Sequence, residues 1–431
     1  MTARLLIGDV HQRLEELPDR SVDLCMTSPP FLALRSYLPD DHPLKRYEIG
    51  AERTPAAFID TLLTLTAELA RVLAPHGSLC VELGDTYAGS GGAGGDYRKG
   101  GLRDGQPVFR QADGDRGKPQ TKGTGGPLNR GGGLVPLNAG PGWPLPKSLT
   151  GIPTLYAWSL AYGTNLLTGQ PSPAGQWRIR NLVHWVRPNP PVGALGDKFR
   201  PATSYLIVAC KSAKRWFDLD AVRQPASPNT KQRVAKGSAG RTDLPSQQRD
   251  GNWQNLPQTN DANPAGAPPL DWWKITTRGY KGSHYAVYPP ELCERPIKAM
   301  CPERVCTVCG EPSRRIVNKI RRPSSPGCRL DSPSVLAKQA VTGGGPMWLR
   351  ADTTYETLGW SDCGHNQWRP GVVLDPFAGT GTTLLVAHNN NRDSIGIDLD
   401  IRNAALASQR LGENLQIDYG TTPNQILMDN A

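Results

Sequence analysis

Two stretches of this chain carry residue types and spacings suited to group transfer. One is Thr27-Ser28-Pro29-Pro30-Phe31, directly after the apolar run Val22–Thr27. Two prolines stiffen the backbone and remove N–H donors, which leaves carbonyls as acceptors. The Ser28 hydroxyl and the Pro29 carbonyl would hold an amine in a fixed direction, and Phe31 offers a flat face to a base. Alone, the stretch reads equally well as an ordinary Pro-Pro loop. The other stretch is Val372-Val373-Leu374-Asp375-Pro376-Phe377-Ala378-Gly379-Thr380-Gly381-Thr382-Thr383. It reads as a buried strand ending in an acid, a glycine turn and a helix start. Gly379 and Gly381 let the backbone pass close to a ligand, and the helix N-terminus favours polar or carboxylate groups. About fifteen residues later a second strand ends in Ile397-Asp398. A carboxylate there can accept both ribose hydroxyls of a nucleoside cofactor.

A third constellation is Cys306-Thr307-Val308-Cys309-Gly310 with Cys363-Gly364-His365. Four soft ligands in two pairs suit a tetrahedral structural zinc. Cys301 and Cys328 are alternative ligands, and a set of reduced surface thiols is the competing reading. No thioredoxin-like strand precedes the C-x-x-C, so a redox role is not expected.

These residues need elements to place them. Arg4 to Gly8 and Val22 to Thr27 read as strands around a short helix, His11 to Leu17. Thr54-Pro55 opens a helix. Phe58, Leu62, Leu65, Leu69 and Val72 then repeat at spacings of three and four, one apolar face. Pro75-His76-Gly77 is expected to stop it before the strand Ser78 to Leu83. Further elements follow: a helix near Thr154 to Tyr162, strands Ile179 to Val186 and Ser204 to Ala209, and a helix Pro289 to Met300. The strand Val372 to Asp375, a helix from Thr382 and the strand Ser394 to Asp398 close the core. Between them lie polar stretches without apolar periodicity. Of the 47 glycines, 18 fall between Ala88 and Gly142.

The chain has 431 residues, a formal net charge of +10 and nine cysteines, and a pI near 9.2. The length suggests two or three domains, and the basic balance points to a polyanion. Met1 to Leu17 holds only the short apolar run Leu5-Leu6-Ile7, which is not an export signal. No apolar run approaches a membrane span. An odd number of cysteines, several in strand-like runs, suggests reduced thiols in a cytosolic compartment.

Taken together, the glycine turn and the Ser-Pro-Pro-Phe tetrapeptide resemble the S-adenosylmethionine-dependent amino-methyltransferases of DNA. The family's D-P-F-x-G-x-G-T-T turn stands intact from Asp375 to Thr383, and its [D/N/S]-P-P-[Y/F/W] tetrapeptide is Ser28 to Phe31. The tetrapeptide precedes the turn, the permuted order of the β class. The resemblance implies a Rossmann-like doubly wound α/β methyltransferase sheet with circularly permuted motifs, polar target-recognition inserts and a small zinc-binding insert. It makes Ser28, Pro29, Pro30 and Phe31 catalytic. It assigns Asp9, Asp375, Phe377, Gly379, Gly381, Thr382 and Asp398 to S-adenosyl-L-methionine, with Asp9 holding the adenine. His284 to Arg295 is similar to the segment covering the methionine end. Arg180 to Pro191, with Trp185 and Asn189-Pro190, is similar to the loop beside the target-base pocket.

The reaction that follows is methyl transfer to an exocyclic amine of a base flipped out of double-stranded DNA, at a specific sequence. Ser in the first position goes mostly with N4-cytosine in the family, with N6-adenine as the alternative. A 5-methylcytosine enzyme needs a Pro-Cys nucleophile, and no cysteine here follows a proline. An RNA methyltransferase usually places its tetrapeptide after the glycine turn, and a non-catalytic DNA-binding module would not need either motif intact. The expected organisation is a catalytic half (1–87), a Gly-rich basic insert (88–150), a core continuation with target-base strands (151–218) and a polar candidate recognition insert (219–271). A core segment (272–300), a Cys-bearing insert (301–371) with Cys306, Cys309, Cys363 and His365 as zinc ligands, and the cofactor half (372–431) complete it. A prokaryotic or phage-encoded, nucleoid-associated cytoplasmic protein with a cognate restriction endonuclease as candidate partner is the implied setting.

Overall fold

The computed structural model describes residues 1–34, 37–38, 42–89, 140–190, 197–225, 266–277, 287–323 and 351–420. Most of the Gly-rich insert (90–139), most of the polar insert (226–265), residues 324–350 with Cys328, and the His284 end of the 284–295 segment lie outside them. The chain divides into two compact units. The first comprises Met1–Phe217, Leu270–Pro312 and His365–Ala431, and the second Asp218–Pro269 and Ser313–Gly364.

The strands in chain order are β1 (Ala3–Ile7), β2 (Val22–Thr27), β3 (Leu73–Leu83), β4 (Arg178–Val186), β5 (Thr203–Cys210) and β6 (Trp272–Lys274). They continue with β7 (Arg304–Cys306), β8 (Arg315–Pro323), β9 (Ala351–Trp360), β10 (Trp368–Pro370), β11 (Val372–Asp375), β12 (Asp393–Asp398) and β13 (Leu415–Asp418). In the first unit nine of them form one sheet in the order β13-β1-β12-β11-β2-β3-β5-β4-β6. The first six run parallel to one another, and β5 is antiparallel to both β3 and β4.

Both faces of this sheet are covered, as its apolar parallel strands require. Along β1, Leu6 joins a core containing Leu14, Phe58, Leu62 and Tyr156. Its neighbours Leu5 and Ile7 join a different core with Leu384, Ala407 and Leu411. Alternation along one strand therefore feeds two helical layers, and the fold is the doubly wound α/β sheet. The helix Pro55–Val72 supplies the first layer. The Thr54 hydroxyl caps it by accepting from the Ala57 N–H at 3.2 Å, and Phe58, Leu62, Leu65, Leu69 and Val72 are all buried. Each such side chain contributes about 1.5–3 kcal/mol.

One expectation fails locally. Pro75-His76-Gly77 does not separate helix from strand: the helix ends at Val72 and β3 starts at once at Leu73. The pairing absorbs the prolyl step by an irregularity in which Val22 faces Leu73 but Leu24 faces Ser78. Pro75 needs no ladder partner there, and His76 is turned into the core, where Nε2 meets Asp23 Oδ1 at 2.8 Å. The helix Arg402–Leu411 and β13 were not legible in advance. The helix packs through small residues, Ala404 and Ala407, and β13 is a half-exposed edge strand.

In the second unit β8 and β9 pair antiparallel from Arg315↔Trp360 to Pro323↔Ala351. Arg315 forms an ion pair with Asp218 at 2.7 Å and lies 4.7 Å from the Trp360 ring centroid.

Candidate active site

The central strands β11 and β2 are neighbours, and from them the chain winds in opposite directions across the sheet. Open α/β sheets bind ligands at such a reversal, beyond the carboxyl ends of the strands. The two motifs end there. Thr27 Oγ1 donates to Asp375 Oδ1 at 2.6 Å, joining residues 348 positions apart in the chain.

A cavity of about 400 Å³ opens at this point. Ser28, Pro29, Pro30 and Phe31 line it, as do Phe377, Gly379, Thr382 and Asp398. Catalytic and cofactor candidates thus share one cavity. Gly379 adopts φ +51°, a left-handed conformation that favours glycine. Its N–H donates to Asp398 Oδ2 at 2.7 Å. Asp398 also accepts from the Asp400 N–H at 2.8 Å and Asn403 Nδ2 at 3.0 Å. Burial, reinforced by the nearby charge of Asp400, pushes its carboxyl up to about 7.

The other assigned residues sit behind the lining. Asp375 is buried beneath the turn, accepting from Thr27, Thr383 (2.6 Å), the Phe377 N–H (3.1 Å) and Tyr288 (3.0 Å). Its oxygens are taken up by internal donors, so it braces the turn instead of facing the cavity; burial raises its pKa against those bonds. Gly381 precedes the helix Thr382–Asn389 at φ +73°, where an added Cβ would meet Ala407 at 3.3 Å. Asp9 caps the helix Val10–Glu15 through the Gln12 N–H at 3.2 Å, while its neighbours Gly8 and Val10 reach the cavity. A carboxylate at a strand end is as useful to a backbone cap as to a ligand, and spacing alone does not separate the two.

The catalytic side holds a residue that motif reading missed. The Ser28 hydroxyl donates to Glu82 Oε2 at 2.6 Å. Glu82 lies near the end of β3, is 3% exposed and lines the cavity. Burial pushes its carboxyl above the usual range, opposed by the Ser28 bond and the charge of Arg187. The sequence signal was a single acid in an otherwise apolar strand, Ser78 to Leu83. The Phe31 ring rests on Gly84, where an added Cβ would lie 2.5 Å from it. Trp185 and Arg187 complete this wall. Trp185 Nε1 donates to the Ile275 carbonyl at 2.9 Å, and the Asn189 side-chain amide donates to the Thr277 carbonyl at 3.0 Å and accepts from the Thr277 N–H at 3.1 Å.

The zinc candidates also converge. Cys306, Cys309, Cys363 and His365 each offer one ligand atom, all within 4.8 Å of one another. The eight described cysteines form no disulfide.

The DNA methylase family model matches residues 22–307 and 368–409. The chain belongs to the DNA methylase family. This methylase is 25% identical over 415 residues to the Type II methyltransferase M.XycI of Xanthomonas campestris pv. cyanopsidis, covering 96% of this chain and 89% of that protein. It is 23% identical to M.SmaI of Serratia marcescens, covering 95% and 91%. Among solved structures, the PvuII DNA methyltransferase (cytosine-N4-specific) is 14% identical, covering 96% of the methylase and 89% of that chain, with a TM-score of 0.44. A DNA modification methylase from Thermus thermophilus, complexed with S-adenosyl-L-methionine, is 16% identical, covering 96% and 99%, with a TM-score of 0.40. No described helix is long and apolar enough to cross a membrane.

Proposed function

We propose that this DNA methyltransferase moves a methyl group from S-adenosyl-L-methionine to the N4 amine of a cytosine flipped out of double-stranded DNA. The observation that carries this reading is the Ser28–Glu82 hydrogen bond at the wall of a cavity shared with the glycine turn. The cavity's donor set fits a nucleoside cofactor: Phe377 offers an apolar face, Gly379 lets the backbone approach, and Asp398 presents a carboxylate suited to ribose hydroxyls. Once bound, S-adenosylmethionine supplies an electrophilic methyl on a sulfonium.

The chain's own residues then orient an amine and remove a proton. An exocyclic amine is a poor nucleophile while its lone pair is delocalised into the ring. The Pro29 carbonyl and the Ser28 oxygen accept its two N–H groups and turn the lone pair outward. As nitrogen gains the methyl it must lose a proton. Ser28 accepts that proton while its own hydrogen passes to Glu82, whose raised pKa suits a base better than an exposed glutamate would. Phe31 stacks on the base, and Arg187 and Trp185 line the cavity beside it.

Serine as the first residue of the tetrapeptide supports cytosine over adenine. The basic stretches 88–150 and 219–271 would hold phosphates and read the sequence, which fits a nucleoid-associated enzyme of a restriction–modification pair in the cytoplasm. The test is incubation of duplex DNA with the protein and cofactor, then digestion and mass spectrometry of nucleosides. N4-methylcytosine is expected. N6-methyladenine would overturn the base assignment, and methylated RNA beside untouched DNA would overturn the substrate.

A further inference from the structure

We infer that Cys306, Cys309, Cys363 and His365 bind one zinc ion, and that this ion pins Arg369 onto the buried carboxylate of Asp23. The first observation is geometric. Zinc–sulfur and zinc–nitrogen bonds of about 2.3 and 2.0–2.1 Å in a tetrahedron place a thiolate and an imidazole nitrogen about 3.6 Å apart. Cys306 Sγ and His365 Nδ1 lie 3.5 Å apart. The four ligand atoms fall within 4.8 Å of one another, so no edge needs to shorten by more than about 1 Å to reach a sulfur–sulfur edge of about 3.8 Å.

The backbone between the first two ligands already has a form that turns both sulfurs to one point. The Val308 N–H donates to Cys306 Sγ at 3.4 Å, and the Gly310 N–H donates to the Cys306 carbonyl at 3.0 Å. Gly310 sits at φ +74°. That residue closes the knuckle where a side chain would be strained.

The second observation is a module too small to hold itself. Cys306 lies on β7, which pairs with β10 over three residues: Trp368↔Cys306, Arg369↔Val305 and Pro370↔Arg304. Val305 and Cys306 are buried, but Cys309 and His365 are exposed. A two-stranded pair this short, with so little apolar cover, is marginal in water, and a metal cross-link is the usual remedy for a small core.

What the pair presents to the main sheet explains the need. Arg369, on β10, donates through Nη1 to Asp23 Oδ2 at 2.6 Å and through Nη2 to Oδ1 at 3.2 Å. Asp23 is fully buried on β2, the strand that leads into Ser28, and it also accepts from the Val372 N–H that opens β11 at 2.8 Å. A metal that fixes β7 against β10 therefore fixes the cation neutralising a charge beneath both motif-bearing strands.

The test reads metal and stability, not methylation, so it stands apart from the proposed reaction. Protein purified from zinc-supplemented cells should carry about one zinc per chain, and cobalt exchanged into it should give the intense visible bands of a tetrahedral thiolate site. Cys306→Ser should lose both, and Arg369→Met should keep both. Absence of bound zinc in the wild-type protein, with no uptake of added zinc or an octahedral cobalt spectrum, would overturn the site. Chelation should lower the melting temperature of wild type but lower that of Arg369→Met much less, because the two changes remove one linkage. Equal lowering in both would overturn the link to Asp23 even where zinc is found.

Discussion

The two ends of the central sheet treat buried carboxylates in opposite ways. Toward the amino end of β2, burial raises the Asp23 pKa, but bonds to His76 and Arg369 and the Arg369 charge outweigh it, and the group is held below the usual range. At the carboxyl end, Glu82, Asp375 and Asp398 are met mainly by hydroxyls, amides and backbone N–H groups, and burial prevails. An acid clamped by a cation is an efficient brace and a poor base. One held by neutral donors costs stability, but it can take up a proton or receive a ligand's hydroxyls. The difference separates the end that holds the sheet together from the end where we place the chemistry.

The largest effect that would sharpen this contrast is expected from Glu82→Gln. It keeps the shape and removes the proton acceptor, and kcat should fall about 100- to 10,000-fold. Cofactor affinity by calorimetry should be unchanged, and the folding stability should hold or rise, because a buried charge is gone. Ser28→Ala should lower kcat by less, about ten- to a hundredfold, because Glu82 remains and a water in the space the hydroxyl leaves can relay the proton to it. Loss of stability with unchanged kcat in either variant would place Glu82 with Asp23 instead.

At the other end Arg369→Met should destabilise by about 2–4 kcal/mol in urea unfolding, since Asp23 keeps His76 and the Val372 N–H. Activity per folded molecule should be retained. The pH sign is fixed by the lowered Asp23 pKa. Its contribution is complete above the unfolded value of about 3.9 and is lost as pH falls through the folded one. The gap between wild type and variant should therefore narrow in acid. A gap independent of pH would break the comparison.

The smallest effect concerns Asp398. Ribose hydroxyls need the ionised carboxylate as acceptor, and the group titrates at about 7 in the ligand-free protein. Cofactor affinity should therefore strengthen about tenfold from pH 6 to pH 8, then level off. Asp398→Asn should bind more weakly and lose that slope. Equal slopes in both proteins would remove Asp398 from the ribose site.

Much of this is legible in the sequence. The Thr54 cap and the spacing from Phe58 to Val72 specify a helix locally, and Val372 to Thr383 specifies strand, turn and helix within a dozen residues. The tetrapeptide and the glycine turn name a chemistry because their residue types act at short range. The knuckle from Cys306 to Gly310 was equally plain for the same reason.

What tertiary structure alone decided are the partners. Asp375 reads as a cofactor residue by its place in the turn, and its oxygens accept from Thr27, Thr383 and Tyr288, all three outside its own strand. Asp9 reads as a ligand by position, and one of its oxygens caps a helix. Glu82 carried no motif, yet the pairing of β2 with β3 sets it against Ser28. The clamp on Asp23 joins residues 346 positions apart. Sequence by itself determined which residues have the chemistry and which local conformations they prefer, because propensity, capping and turn geometry are set by near neighbours. Tertiary structure decided which acids reach the cavity, Glu82 and Asp398, and which lie beneath it, Asp375 and Asp23. A buried carboxylate's protonation is set by desolvation and by the donors packed around it, and the chain brings those together only by folding.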